Sequence, residues 1–352
     1  MIFSKLKINK ITLPNRVVVS PMCQYSAKDG CPSEWHYRHL SNLIESGAGL
    51  LTVESTAVCK EGKISHNDLC LYNLNHLRAH KRLVKKLKTI RNIPIIIQIS
   101  HSGRKGSAKI PWLKRSKPLL NKNEKWQTYA PSPISLDKKW PAPKVMKKNK
   151  IKKVVKKFIN SAKLAFEAGY DGIELHIAHG YLLHQFFSPI SNKRKDEYGL
   201  NAVEKYKIHN EILRSIKKIT PNSKIIGARI TGSDHLKKGS TITECIDFVN
   251  QLKKNGLNYV CISSGGIIPK THMKITKGFR IKMASTIKKK CKIITRTSGM
   301  IDSVHLINTA LKKYKLDFVA VGRKFINDRF FLLKNNKIIK KKYISKQYTY
   351  CI

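Results

Sequence analysis

A chain of 352 residues with 41% hydrophobic side chains can bury a sizeable core and is too apolar to be intrinsically disordered. No apolar run approaches the roughly 20 residues of a membrane-spanning helix, and the opening Met1-Ile-Phe-Ser-Lys-Leu-Lys7 lacks the apolar core of a secretory leader, so a cytoplasmic protein with no membrane partner is expected. The formal charge of +49 raises nucleic-acid binding, but 56 of the 70 basic residues are lysine, spread along the whole chain, whereas phosphate-reading surfaces favour the arginine fork; compositional drift in an AT-rich genome is the simpler reading, and no specific nucleic-acid partner is expected.

In chain order, the first short apolar run is 16–20, followed by 50–54. A helical pattern over 77–90 leads to a third strand at 94–99. Residues 101–149, rich in Pro, Lys and Trp, form an insertion before a helix at 151–168. A fourth strand at 172–176 is followed by a second insertion, 177–200, and a helix at 203–219. Strands at 224–229, 258–262, 292–295 and 318–321 complete the series, with helices at 241–255 and 303–313 between them. Gly169 and Gly256 fall where helix C-caps are expected.

Short continuous apolar runs suit parallel strands buried on both faces. Eight such units predict an α/β fold, a single (β/α)8 TIM barrel with active-site loop insertions after strands 3 and 4. The domain is expected to span 1–352, with the barrel at about 16–332 and a C-terminal tail after it. No GxGxxG follows the first strand, which argues against a doubly wound dinucleotide fold. Eight scattered cysteines without a CxxC pair read as reduced thiols.

A barrel of this kind carries its chemistry at the C-terminal ends of its strands. Those ends hold Ser20-Pro21-Met22-Cys23-Gln24-Tyr25, Gln98 with His101-Ser-Gly-Arg-Lys105, Glu174-Leu-His-Ile-Ala-His-Gly-Tyr181, Arg229, Ser298-Gly299-Met300 and Gly322-Arg323. Glycines after strands 7 and 8 let backbone approach a phosphate closely. His176 and His179 can grip one substrate oxygen, and the Tyr181 phenol can deliver a proton. No metal is expected, because no carboxylate or cysteine completes a ligand set with the two histidines. Taken singly, each residue has a plainer role. Cys23 could be a small buried hydrophobe, the histidines satisfied core groups, Tyr181 a loop anchor, and Arg229 the partner of a neighbouring carboxylate. His101, Arg104 and His184 read as structural hydrogen bonders, and Cys59, Cys70, Cys245, Cys261 and Cys291 as packing residues.

SPMCQY near the start, HSGRK, APS at 130–132, ELHIAHGYLLHQFFSPISNKRKDEYG at 174–199 and VGR at 321–323 resemble the old yellow enzyme family. The resemblance covers nearly the whole chain and is closest to the bacterial branch of NADPH dehydrogenases and xenobiotic reductases. It implies FMN on top of the barrel, lined by Ser20, Pro21, Met22 and Cys23, with Ser55 beside the flavin. Gln98 would bond the pyrimidine ring. Arg229 would face the region where the reduced flavin is anionic, and Ser298, Gly299, Gly322 and Arg323 would hold the phosphate. It implies NADPH, with NADH possible, as reductant. The implied substrate is an enone or nitro compound whose C=C bond is reduced. His176 and His179 would bond its oxygen, Tyr25 would contact the same oxygen, and Tyr181 would be the general acid.

The chain departs from the family at Leu200, where a second glycine is usual, and at Glu204-Lys205, where an Asn-Arg pair is usual; these are packing positions. In part of the branch a C-terminal arginine from a neighbouring subunit enters the active site. Tyr350 stands near its place here, so that contact is not supported, and a homo-oligomer is left open. Two other readings stand beside this one. A tRNA-dihydrouridine synthase-like FMN enzyme would suit the basic charge, and Gly30-Cys31-Pro32 mimics the tripeptide around its catalytic cysteine, though far too early in the chain. A decayed barrel retained as a basic binding protein is the other.

Overall fold

The computed structural model describes residues 1–113, 117–269, 273–334 and 343–347. It opens with a hairpin, β1 (Leu6–Ile8) and β2 (Ile11–Leu13), paired antiparallel around Asn9, whose φ is +53°. Ile8 and Leu13 are fully buried, in one apolar cluster with Val18, Leu50, Ile96 and Ile225. The hairpin thus closes the N-terminal end of a barrel. Nothing in the periodicity announces strands of three residues.

The barrel strands are β3 (Val17–Val19), β4 (Leu50–Ala57) and β5 (Ile95–Ser100). A short pair, β6 (Tyr129–Ala130) and β7 (Lys144–Val145), lies within the long insertion after β5. The barrel continues with β8 (Gly172–Ile177), β9 (Ile225–Thr231), β10 (Tyr259–Ser263), β11 (Ile294–Thr297) and β12 (Phe318–Val321). All eight pair in parallel, and β12 returns to β3, which closes the sheet. The predicted TIM barrel is the observed fold. Residues such as Ile95, Ile96, Ile97 and Ile99 are completely buried, each worth roughly 1.5–3 kcal/mol of burial.

The helices are α1 (Glu34–Ile44), α2 (Leu74–Ile90), α3 (Lys148–Glu167), α4 (Leu182–Phe187), α5 (Lys207–Ile219), α6 (Ile242–Lys254), α7 (Ile281–Cys291), α8 (Val304–Asn308) and α9 (Arg323–Asn327). Gly169 and Gly256 do end α3 and α6, at φ +92° and +97°. The next amides, Tyr170 N–H and Leu257 N–H, reach back to Ala165 O at 3.2 Å and Leu252 O at 3.2 Å, which satisfies helix-end carbonyls.

Three expectations need correction. The helix predicted over 203–219 begins only at Lys207, because Tyr206 takes a left-handed φ of +62° and Val203 stands in solvent. Leu200 packs against the core beside this start, and Glu204 pairs with Arg214 at 2.8 Å. The helix predicted over 303–313 is α8 followed by a π-turn, Thr309–Lys313. Four helices, α1, α4, α7 and α9, went unpredicted. α1 places His36 on its buried face, which breaks the apolar pattern, and α7 ends in three lysines.

Tyr343 lies beneath the barrel, where its Oη donates to Pro14 O at 3.1 Å. Tyr350 lies outside the described residues. Among the described residues no helix is long and apolar enough to cross a membrane.

Candidate active site

After β3 the chain runs without regular structure through Ser20, Pro21, Met22 and Cys23 to Tyr25. Ser20 N–H donates to Val321 O at 2.9 Å, tying this segment to the end of β12. Further along, Gln24 N–H donates to Glu54 Oε1 at 2.9 Å. The pairing of β4 with β5 shifts register between Val53 and Ser55, and this irregularity sets Glu54 and the buried Ser55 at the barrel end. The other Glu54 oxygen stands 3.6 Å from His36 Nε2 on α1. Tyr25 is held at φ +49°, a costly conformation for a non-glycine residue and a common mark of functional loops. Burial, with Glu54 adding to it, pushes the Cys23 thiol well up, so it is a neutral thiol.

Four sequence-predicted groups meet at the ends of β8 to β11. His176 and Arg229 are register partners on β8 and β9. The His176 and His179 rings are perpendicular with centroids 5.1 Å apart, and their Nε2 and Nδ1 atoms are 3.4 Å apart. His179 Nε2 lies 2.6 Å from Ser263 Oγ. Burial, with Arg229 next, holds both imidazoles well below the usual histidine range, so both are neutral. His176 Nδ1 is buried without a hydrogen-bond partner, an uncommon state that points to an absent ligand. Tyr181 lies edge-on to His176, centroids 4.8 Å apart, and burial raises its phenol well above 10. Lys105 sits 5.4 Å above the Tyr181 ring and donates to His179 O at 2.8 Å. Burial, with Arg104 adding to it, lowers its ammonium to about 8.

Arg229 donates to Ser298 Oγ at 3.0 Å, and no carboxylate among the described residues pairs with it. Its Nε is buried without a partner. It borders a cavity of about 510 Å³ with Ser20, Met22, Ser298, Gly322 and Arg323. Gly299, at φ +132°, lines the same cavity. A Cβ at Gly322 would stand only 3.2 Å from Met22 Sδ, so this wall of the cavity is bare backbone. Arg280, which no sequence signal singled out, also lines it. It enters from the turn before α7, donates Nε to Ser264 Oγ at 2.8 Å, and stacks 4.4 Å over the Phe279 ring. Burial, then Arg229, lowers its guanidinium to about 10. Three arginines, two flexible glycines and an open buried donor suit an anionic, phosphate-bearing group, as the donor set of FMN's phosphate and ring requires.

A second cavity of about 950 Å³ is lined by Cys23, Tyr25, Lys105, Trp112, Trp140 and Tyr181. Its outer wall comes from the 101–149 insertion, with Trp112 edge-on to Tyr25 at 6.3 Å. Gln98 does not face a free amide-binding slot on both sides: its Nε2 donates to Glu174 Oε1 at 2.8 Å. Arg104 spends its guanidinium on Ile134 O, Ser135 O and Ile267 O, and so staples the insertion to the loop after β10. Cys31 belongs to a turn paired with Lys28 before α1 and does not line this cavity.

Comparison with known proteins accords with this arrangement. The model of the NADH:flavin oxidoreductase / NADH oxidase family matches residues 1–342. The chain is 33% identical to NADPH dehydrogenase of Clostridium acetobutylicum over 340 residues, 96% of this chain and 95% of that one. It is 35% identical to NADPH dehydrogenase of Listeria innocua over 332 residues, 94% and 92% of the two chains. Among solved structures, morphinone reductase superposes with a TM-score of 0.77 at 20% identity, over 94% of this chain and 87% of its own. A 2-naphthoyl-CoA reductase superposes at 0.83 and 20% identity, over 97% of this chain and 52% of its own.

Proposed function

Because the chain belongs to the NADH:flavin oxidoreductase / NADH oxidase family, that of old yellow enzyme, and is an FMN-dependent oxidoreductase using NADPH or NADH, we propose that it is an ene-reductase. Its substrates are small α,β-unsaturated carbonyl or nitro compounds, and one FMN-binding barrel domain over 1–352 carries the reaction. The observation behind this reading is the pair of neutral histidines beside a neutral tyrosine, at the edge of a cavity with an aromatic wall.

FMN bound here would supply two-electron hydride chemistry between a nicotinamide and the substrate. Ser298, Gly299, Gly322 and Arg323 would hold its phosphate, with Arg280 as a further cation. Ser20, Pro21, Met22, Cys23 and Ser55 would line its ring, and Gln98 and Arg229 would bond its polar edge. Arg229, buried and without a carboxylate, favours negative charge there.

His176 and His179 donate to the substrate oxygen. A neutral imidazole has one N–H, so His179, whose nitrogens face His176 and Ser263, gives up one of those contacts to donate, and charge developing on the substrate oxygen strengthens both bonds. Tyr25 contacts the same oxygen from the opposite loop. Tyr181 stays protonated because burial raises its phenol, so it can give its proton to the α-carbon. The buried Trp140 closes part of the cavity wall against water.

The test is anaerobic rapid mixing. The yellow protein is reduced with NADPH, mixed with 2-cyclohexenone, and followed by flavin absorbance. Fast reoxidation that slows about 100-fold or more in His176→Ala and His179→Ala supports the reading. NADPH reduction without enone turnover moves the assignment to another acceptor. Failure to bind FMN removes it.

A further inference from the structure

Barrel interiors are normally packed with Val, Ile and Leu. This one carries a buried polar cluster directly below the histidines. Glu174 lies two residues before His176 on β8, with its side chain on the same face and no exposure. Its Oε1 accepts from Gln98 Nε2 at 2.8 Å. Its Oε2 accepts from Tyr259 Oη at 2.6 Å and from Arg296. Arg296, also fully buried, stacks over the rings of Tyr259 and Phe318 at 5.2 and 5.6 Å. Room for the Tyr259 ring comes from Gly227, where a Cβ would fall 2.1 Å from a ring carbon. Arg296 and Tyr259 are thus held by other packing as well, whereas the Gln98 side chain has Glu174 as its hydrogen-bond partner.

We propose that Glu174 is a positioning residue for the flavin: it fixes which face of the Gln98 amide meets the cofactor. A carboxylate paired with arginine only accepts hydrogen bonds, so it selects the Gln98 nitrogen. With Nε2 given to Glu174, the Gln98 oxygen is the end left over, and no hydrogen bond among the described residues is donated to it. Gln98 is the register partner of Ser55 on one side and of Glu174 on the other, so it stands between the flavin-lining segment and the polar cluster. The amide therefore offers an acceptor, suited to the imide N3–H of a flavin. Left free, an amide could present either end. The proposal rests on the flavoenzyme reading above.

The test compares binding of FMN and of N3-methyl-FMN to the apoprotein by fluorescence quenching, a readout independent of turnover. Wild type should prefer FMN by at least about tenfold, because the methylated ring leaves the Gln98 oxygen unpaired. Glu174→Gln should lose most of that preference, since a neutral amide at 174 can satisfy either Gln98 orientation. Removing only the charge of Glu174 strands Arg296, so the double variant E174L/R296M, which removes the pair together, is measured beside it. Loss of preference in a folded variant supports the proposal. Equal preference in wild type and variant overturns it, as does a wild type with no preference. A wild type that binds neither flavin overturns the flavoenzyme reading itself.

Discussion

His184 Nε2 stands 3.0 Å from Asp234 Oδ1, while its Nδ1 accepts from Gly180 N–H at 2.8 Å. One fully buried imidazole therefore joins the loop after β9 to the backbone immediately beyond His179. His179 and Gly180 are both left-handed, at φ +59° and +74°, so this segment would not hold its shape unaided. Ser188 Oγ, Ser240 Oγ and Ser240 N–H also donate to Asp234 Oδ2.

Asp234→Asn should therefore lower both stability and enone reduction. Burial pushes the Asp234 carboxyl up, but the hydrogen bond and charge of His184, with Ser188 and Ser240, outweigh it and bring the group down to about 2. A depressed folded value contributes stability above the unfolded value of about 3.9 and loses it as pH falls toward 2, for roughly 2 kcal/mol in total. Denaturant titrations of wild type and variant should converge over that acid window and differ above it. At neutral pH the variant should also reduce enone about tenfold more slowly, through displacement of His179.

Tyr181→Phe should slow flavin reoxidation by enone about 100-fold or more while leaving reduction by NADPH nearly unchanged. Both histidines titrate well below neutrality and Tyr181 well above 10. The reoxidation rate of wild type should accordingly stay flat between about pH 6 and 7, with any change toward about pH 9 reporting loss of the Lys105 proton, at about 8, beside Tyr181, which stopped-flow across that range checks. A bell-shaped profile centred near neutrality would contradict the assigned protonation states.

Arg296→Met should cost about 3–5 kcal/mol, because Glu174 then remains buried and uncompensated. E174L/R296M should recover most of that loss. Chemical denaturation of the three proteins measures the difference.

With a formal charge of +49, self-repulsion should make the protein more stable as salt rises from low to physiological concentration. Binding to RNA or heparin should be weak and fall steeply with salt, as expected of unspecific lysine contacts. RNA affinity that persists at high salt would instead indicate a built nucleic-acid site.

The barrel was legible in the sequence because buried parallel strands must be continuously apolar, and a polar residue at the end of such a run stands at the mouth. That rule alone brought Ser20, His176, Arg229, Ser298 and Gly322 to one end of the fold. It could not find Arg280, which comes from an irregular turn before α7, or α1, whose apolar face carries His36. Nor could it find the cluster of Glu174, Gln98, Tyr259 and Arg296. Residues 98, 174, 259 and 296 share no local pattern, and only barrel closure turns their side chains toward one interior. Local periodicity determined which faces are buried. Long-range packing decided which buried polar groups meet, because a buried charge must find its partner wherever the fold puts one.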